Sequence, residues 1–398
     1  MKDLFFKKIF LIIVIILAIL FSTGCWNRRE LSEIGIIGAA AIDAEADKIK
    51  LTYEVITPKR LDTKSGDEAP ASYFQSEGET IFEASRNSTL KLNKKLFWSH
   101  ANVFYFNEMS AKDGLLTYLD FFNRGHESRG YVNIAIAKGE SAYKIIGIGG
   151  LKGEVPSSYV EAVFENSAVN GKAASIKIVD FLKTYYEEGI EPVVGAIQTI
   201  KRNETELKMP TDKKEEYMPL VEGLAVFKED ILVGFFDGIQ TRGFNFARDK
   251  IKSGIIVSAS PDGRGVNSIE IIKSSGKLNV QIKDGEYYCT VKIEINGMLN
   301  EETGKEDISN LEAITKIENN TSENIKNEIK SSIKKAQEYK TDIFGFGQSI
   351  HKKYPAKWKI IKNDWNDIFS TLEIKVEVKT NIEKVGVSNE QLSAKEQK

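Results

Sequence analysis

Residues Ile9–Phe21 form an unbroken apolar run of 13 residues that stops at Ser22-Thr23-Gly24-Cys25. Ahead of it, Lys2, Lys7 and Lys8 outnumber the single acid Asp3. A membrane-spanning helix needs about 20 apolar residues to cross roughly 30 Å of hydrocarbon, so this run is short for that role. A basic start, a short apolar centre and a small-residue exit describe a cleavable secretory signal. Thr23-Gly24 before Cys25 adds the pattern of a bacterial lipoprotein, whose peptidase acts next to a cysteine already carrying diacylglycerol. Residues 1–24 are then the signal peptide and Cys25 the lipidation site. Ser22 stands where a large aliphatic residue is usual, and an ordinary signal peptide or an uncleaved anchor extended through Ala18–Phe21 is the alternative. With two acyl chains, at about 0.8 kcal/mol per buried methylene, attachment is stable. The expectation is a protein held on a membrane, not through it.

The chain beyond Cys25 is long enough for two or three domains. Lys and Arg (55) nearly balance Asp and Glu (57), which excludes the concentrated basic footprint of a nucleic-acid binder. With Cys25 lipidated, Cys289 has no partner for a disulfide, and its β-rich setting Tyr287–Val291 suits a buried, inert side chain. His100, His126 and His351 are isolated from one another, so no metal site is expected. No GxSxG elbow or phosphate-binding loop occurs. Ser141-Ala142-Tyr143-Lys144 matches S-x-x-K, but no S-D-N or K-T-G comes after it. The glycines 147, 149, 150 and 153 read as a flexible turn. No catalytic residue, cofactor or enzymatic activity is expected.

Alternating strands and helices predict an α+β protein of two or more mixed α/β domains. After a membrane-proximal connector at 25–34, Gly35–Ile42 and Ile49–Ile56 predict a hairpin with a loop of several residues. Leu51, Tyr53 and Val55 alternate with Thr52 and Glu54, a strand with one buried face. Residues 59–78 read as loop, and a helix is expected over Thr80–Lys94. Further strands are expected at Ala101–Phe106, Tyr131–Ala137 and Pro192–Thr199. Helices are expected at Leu115–Asn123, Ser158–Asn166 and Ile176–Glu187. The polar stretch Lys201–Glu216, with Pro210, is the expected boundary, giving an N-terminal domain over 25–205, a linker over 206–216 and a C-terminal domain over 217–386.

In that second half, Gly223–Phe227 and Ile231–Phe236 predict another hairpin. Three or more strands are expected between Ile255 and Leu299, with turns at Pro261-Asp262-Gly263, Ser275-Gly276 and Asp284-Gly285. Ile308–Tyr339 carries one apolar stripe through Leu311, Ile314, Ile317, Ile325, Ile329, Ile333 and Ala336, so a long helix lies on the C-terminal sheet. Asn320 with Glu323 offers a second helix start near the middle. Glu373–Ile382 alternates as a last strand, and 387–398 is a polar tail. Two aromatic stretches stand out, Thr241–Phe246 and Asp342–Gly347. Arg242, Phe244 and Phe246 are candidate partner contacts because Arg and aromatics are favoured at interfaces, with core anchoring as the alternative.

Taken in order, these stretches resemble the Ger(x)C family of spore germination lipoproteins. The likeness runs from Gly24–Leu31 through Gly223–Lys228, Leu232–Phe235 and Thr241–Asn245 to Asp342–Gly347, Tyr354-Pro355, Trp358 and Trp365. It implies a C subunit of a nutrient germinant receptor on the outer face of the spore inner membrane. It further implies membrane-embedded A and B subunits as partners, mixed α/β domains and no known catalytic site. It does not imply whether such a subunit contacts the nutrient. A substrate-binding lipoprotein of an ABC importer shares the anchor and the lack of catalysis, but needs two similar lobes. A lipid-anchored hydrolase needs a converging nucleophile and base.

Overall fold

The computed structural model of the chain describes residues 2–21, 33–57, 70–125, 130–149, 154–201, 217–304 and 310–385. Cys25, the connector up to residue 32, the 206–216 linker and the tail from 387 lie outside the described residues. The apolar run lies in α1 (Lys2–Phe21), where Phe5, Phe6 and Phe10 are exposed. Among the described residues no helix is long and apolar enough to cross a membrane.

A first sheet is built from β1 (Ile34–Glu45), β2 (Lys48–Ile56), β3 (Ala71–Gly78), β4 (Lys95–Phe97), β5 (Val103–Asn107), β6 (Asn133–Ala137), β7 (Ile176–Lys177), β8 (Val193–Lys201), β9 (Tyr217–Lys228) and β10 (Ile231–Phe236). The helices among them are α2 (Ile81–Asn87), α3 (Glu108–Lys112), α4 (Leu115–Arg124), α5 (Pro156–Asn166) and α6 (Ile178–Tyr186). Strand order is β10-β9-β8-β6-β5-β1-β2-β3, with β4 beside β1 and β7 beside β6. The middle strands β1, β5, β6 and β8 run parallel, as helical crossovers require, and hairpins extend both margins.

The β1–β2 hairpin is present, but its turn is only Ala46-Asp47. One-sided burial of β2 does not hold: Thr52 and Glu54 are buried with Leu51, Tyr53 and Val55. The cause is α5, which brings Ser157 beside the Glu54 carboxyl on the second face, while Tyr73 Oη donates to Glu54 Oε2 at 3.3 Å. Residues 71–78, expected as loop, form β3 along β2, and Phe74 stacks on Tyr53 at 6.1 Å. The helix expected over 80–94 starts at the Thr80 cap but gives way to a 3-10 turn over Ser88–Leu90.

The expected border at 201–216 falls between two paired strands of the first sheet. Strand β8 pairs with β9 across it, from Val193–Val226 to Lys201–Tyr217. The first sheet therefore continues to Phe236, and the change of sheet comes after β10. A polar, proline-bearing stretch reports solvent around a connection. A long hairpin loop satisfies that description as well as a domain linker does.

Beyond β10, α7 (Gly238–Ala247) leads to β11 (Ile255–Ala259), β12 (Val266–Lys283) and β13 (Glu286–Glu302). Then come α8 (Leu311–Glu338), α9 (Phe346–Lys353), α10 (Pro355–Ile361), α11 (Trp365–Thr371) and β14 (Ile374–Val385). The second sheet has the order β11-β12-β13-β14. Ser275-Gly276 is not a turn but the middle of β12, where a side chain at Gly276 would collide with Phe246 O of α7. Helix α8 runs unbroken through Asn320, and Ile317, Ile325, Ile329, Ile333 and Ala336 are buried on the sheet, while Leu311 is exposed.

The same helix closes both edges of its sheet. Asn320 and Asn324 donate to Ala259 O and Val257 O of β11 at 3.0 and 2.9 Å. On the far edge, Thr380 N–H and Ile382 N–H of β14 donate to Ser322 Oγ and Glu318 Oε1 at 3.0 and 2.8 Å. Backbone groups that would otherwise invite another strand are thereby satisfied. One core joins the sheets, with Phe106 and Phe227 from the first packed continuously with Phe244, Ile329 and Trp358. The architecture is α+β.

Candidate functional site

The segment between the sheets begins with a reciprocal cap. Asp237 Oδ1 accepts from Gln240 N–H at 2.8 Å while Gln240 Oε1 accepts from Asp237 N–H at 3.1 Å. This starts α7 directly after β10 and turns Thr241–Ala247 inward. Arg242, Phe244 and Phe246 are 9%, 2% and 0% exposed, so they are core residues and not a partner surface. Arg and Phe density suits both settings, and the helical cap that decides between them reads as a turn in the sequence. At Gly243 any side chain would strike the backbone of Glu328, so glycine lets α7 cross α8 closely. There Arg242 grips Glu328 with two bonds, Nε–Oε2 at 2.8 Å and Nη2–Oε1 at 2.5 Å. Its third nitrogen, Nη1, donates to Ile255 O at 3.1 Å and extends the edge closure of β11.

The second aromatic stretch wraps a buried carboxylate. Asp342 accepts from Phe344 N–H (3.1 Å), Gly345 N–H (2.8 Å), Gly347 N–H (2.8 Å) and Trp365 Nε1 (3.1 Å). Burial raises its pKa, and those donors oppose the rise. Gly345 sits at φ 84°, a left-handed conformation glycine adopts without strain. Arg248 Nη1 secures the turn through Phe344 O at 2.7 Å.

Against this turn lies the loop between α6 and β8, whose Glu187-Glu188-Gly189-Ile190-Glu191 joins the first sheet to the C-terminal helices. Glu191 N–H donates to Asp342 O at 2.9 Å, and Gln348 N–H to Gly189 O at 2.7 Å. The Gln348 amide bonds the Glu187 carboxylate, and Trp358 Nε1 donates to Glu188 Oε2 at 2.5 Å. A polar cavity of about 360 Å³ opens here, lined among others by Glu191, Glu229, Asp342, Trp358 and Lys362. Burial pushes the Glu191 carboxyl up to about 7, with Glu229 and Asp342 adding to the rise and the Glu229 N–H opposing it. Sequence alone does not single out this loop; its one trace is three acids in five residues just before a strand.

Ser141 and Lys144 flank a turn whose Ala142 and Tyr143 N–H groups bind the Asp43 carboxylate at 2.7 and 2.9 Å, a structural use. Cys289 is 3% exposed, and burial pushes its thiol up to about 12, so it stays protonated and inert as expected. His100 lies against Phe97 and His351 against Trp358, while His126 is outside the described residues. Among the described residues no group of three His, Cys, Asp or Glu stands together to hold a metal ion. The site ties the first sheet to the C-terminal helices.

Two family models match in tandem. Residues 27–199 match the spore germination protein N-terminal domain, and residues 222–386 match the spore germination B3/GerAC-like C-terminal domain. The chain is 27% identical to spore germination protein KC of Bacillus subtilis, over 96% of this chain and 97% of that one. It is 23% identical to spore germination protein B3 of the same organism, over 90% and 93%, and 22% identical to spore germination protein GerQC of Bacillus cereus, over 95% and 99%. The crystal structure of the GerBC protein shares its fold with a TM-score of 0.54 at 20% identity, over 86% of this chain and 96% of that one. With both modules matched in order over nearly all of the folded part, the chain belongs to the Ger(x)C family of spore germination proteins.

Proposed function

We propose that this chain is the C subunit of a nutrient germinant receptor and acts by assembly with A and B subunits, not by catalysis. The observation that carries the reading is the end-to-end match, both modules in order, to proteins named for spore germination. Nothing among these relatives favours a substrate-binding protein of an ABC importer. In this reading residues 1–24 are removed and lipid on Cys25 holds the chain on the outer face of the spore inner membrane. Residues 25–34 form the connector and 387–398 a polar tail. Tethering restricts the search for partners to a surface and raises avidity by roughly 10²–10⁴ without any new contact. The test is co-purification from spore membranes with this chain as bait. Recovery of the A and B subunits supports the reading; recovery of the chain alone, from spores that respond normally to nutrients, contradicts it.

A further inference from the structure

The segment from His351 to Asn363 holds five lysines and no acid. It covers the end of α9, all of α10 and the start of the turn after it. Trp358 and Ile361 anchor α10 in the core at 3% and 6% exposure, which turns Lys359 and Ile360 outward. Ile360 is 74% exposed, an apolar tip among cations. Lys352, Lys359 and Lys362 are exposed and Lys357 half-buried, and none of the four forms an ion pair among the described residues. On α8, Lys316, Lys326 and Lys335 each pair with a glutamate three or four residues away, while Lys330 and Lys334 form no ion pair among the described residues. The fifth cation, Lys353, is turned to the sheet, donating to Val280 O at 3.1 Å. Acids border the segment: Asp364 follows, exposed, in the same turn as Lys362, and Glu229 lines the cavity that Lys362 also lines. Glu188 has its carboxyl held below the usual range by the Trp358 indole N–H, with Lys362 and His351 beside it.

We propose that the face carrying Lys352, Lys357, Lys359, Ile360 and Lys362 docks on an anionic phospholipid surface, as a second contact that orients the chain on its membrane. The inference rests in part on the proposed tether at Cys25. Eight residues separate Cys25 from Ile34, so even fully extended the connector keeps the start of β1 within roughly 30 Å of the bilayer. Clustered lysines are drawn to anionic headgroups within about a Debye length of the surface, on the order of 8 Å at physiological salt. An exposed isoleucine among them suits the boundary between headgroups and acyl chains. With two acyl chains already holding the chain, a basic face adds orientation more than attachment.

The test uses the full chain reconstituted in vesicles, with Ile360→Cys labelled by a polarity-sensitive dye. Leu311→Cys, at an equally exposed position of α8, serves as reference. The position-360 dye is expected to shift to the blue on vesicles containing phosphatidylglycerol and not on phosphatidylcholine alone, with reversal by high salt. Combining Lys352→Gln, Lys357→Gln, Lys359→Gln and Lys362→Gln should abolish the shift, and position 311 should report none. Equal emission on both vesicle types overturns the proposal. So does a shift that arises on phosphatidylcholine only when other receptor subunits are added, which assigns the face to a protein. Flotation of the chain with phosphatidylcholine vesicles reports the tether separately, so its loss counts against lipid at Cys25 and not against this face.

Discussion

The guanidinium of Arg242 and the carboxylate of Glu328 form a two-pronged ion pair between α7 and α8, with both side chains about nine-tenths buried. Removing one partner leaves an uncompensated charge in the core, which costs about 3–5 kcal/mol. Arg242→Ala is expected to destabilise by that amount in urea unfolding, and Glu328→Ala comparably. A loss under about 1 kcal/mol, the scale of an exposed pair, contradicts the burial of the two side chains.

Helix α8 holds its sheet by apolar contact beneath and polar contact at the edges. Ile329 is fully buried, and Ile329→Asp places an unpaired carboxylate in that core, so the folded state should be lost or severely weakened. Asn320→Ala and Asn324→Ala each remove one bond to β11, worth about 1 kcal/mol, and open a strand edge. The double variant should lose about 2 kcal/mol and self-associate with rising concentration in analytical ultracentrifugation. A monomeric double variant of unchanged stability contradicts the edge-closing role.

Glu191 gives a pH dependence of defined sign. Its carboxyl rises from 4.5 to about 7 on folding, so the folded chain holds this proton more tightly than the unfolded chain. The contribution to stability is fully present below about 4.5 and is lost progressively as pH rises through about 7. Glu191→Gln removes that loss while leaving an acceptor for Glu229 N–H. Relative to the unchanged chain, the variant should gain stability between pH 5 and pH 8, on the order of 3 kcal/mol. Urea midpoints at the two pH values check it, and a difference independent of pH contradicts it.

Strands, helices and the stripe of α8 are legible in the sequence because burial leaves a period in the apolar residues. Legibility fails where a feature depends on a neighbour across space. Strand β3 is polar enough to read as loop and exists because β2 offers it a paired edge. Glu54 has the pattern of a solvent-facing residue, yet α5 brings Ser157 to it. Phe244 and Phe246 are visible as an aromatic cluster, but only the crossing of α7 and α8 at Gly243 tells a core anchor from an exposed patch. The acids of the 187–191 loop leave almost no trace because their partners, Asp342, Gln348 and Trp358, lie more than 150 residues away.

Assembly at a membrane, with Cys25 supplying the local concentration, is the proposal on which the functional reading stands. Cys25 precedes the described fold, so Cys25→Ser should leave urea stability unchanged while abolishing lipid attachment. The deciding measurement is nutrient-triggered germination of spores carrying Cys25→Ser, scored with the membrane retention of this chain and its partner subunits. A released chain and a much weaker response are expected. Full germination with the chain released from the membrane would contradict the proposal.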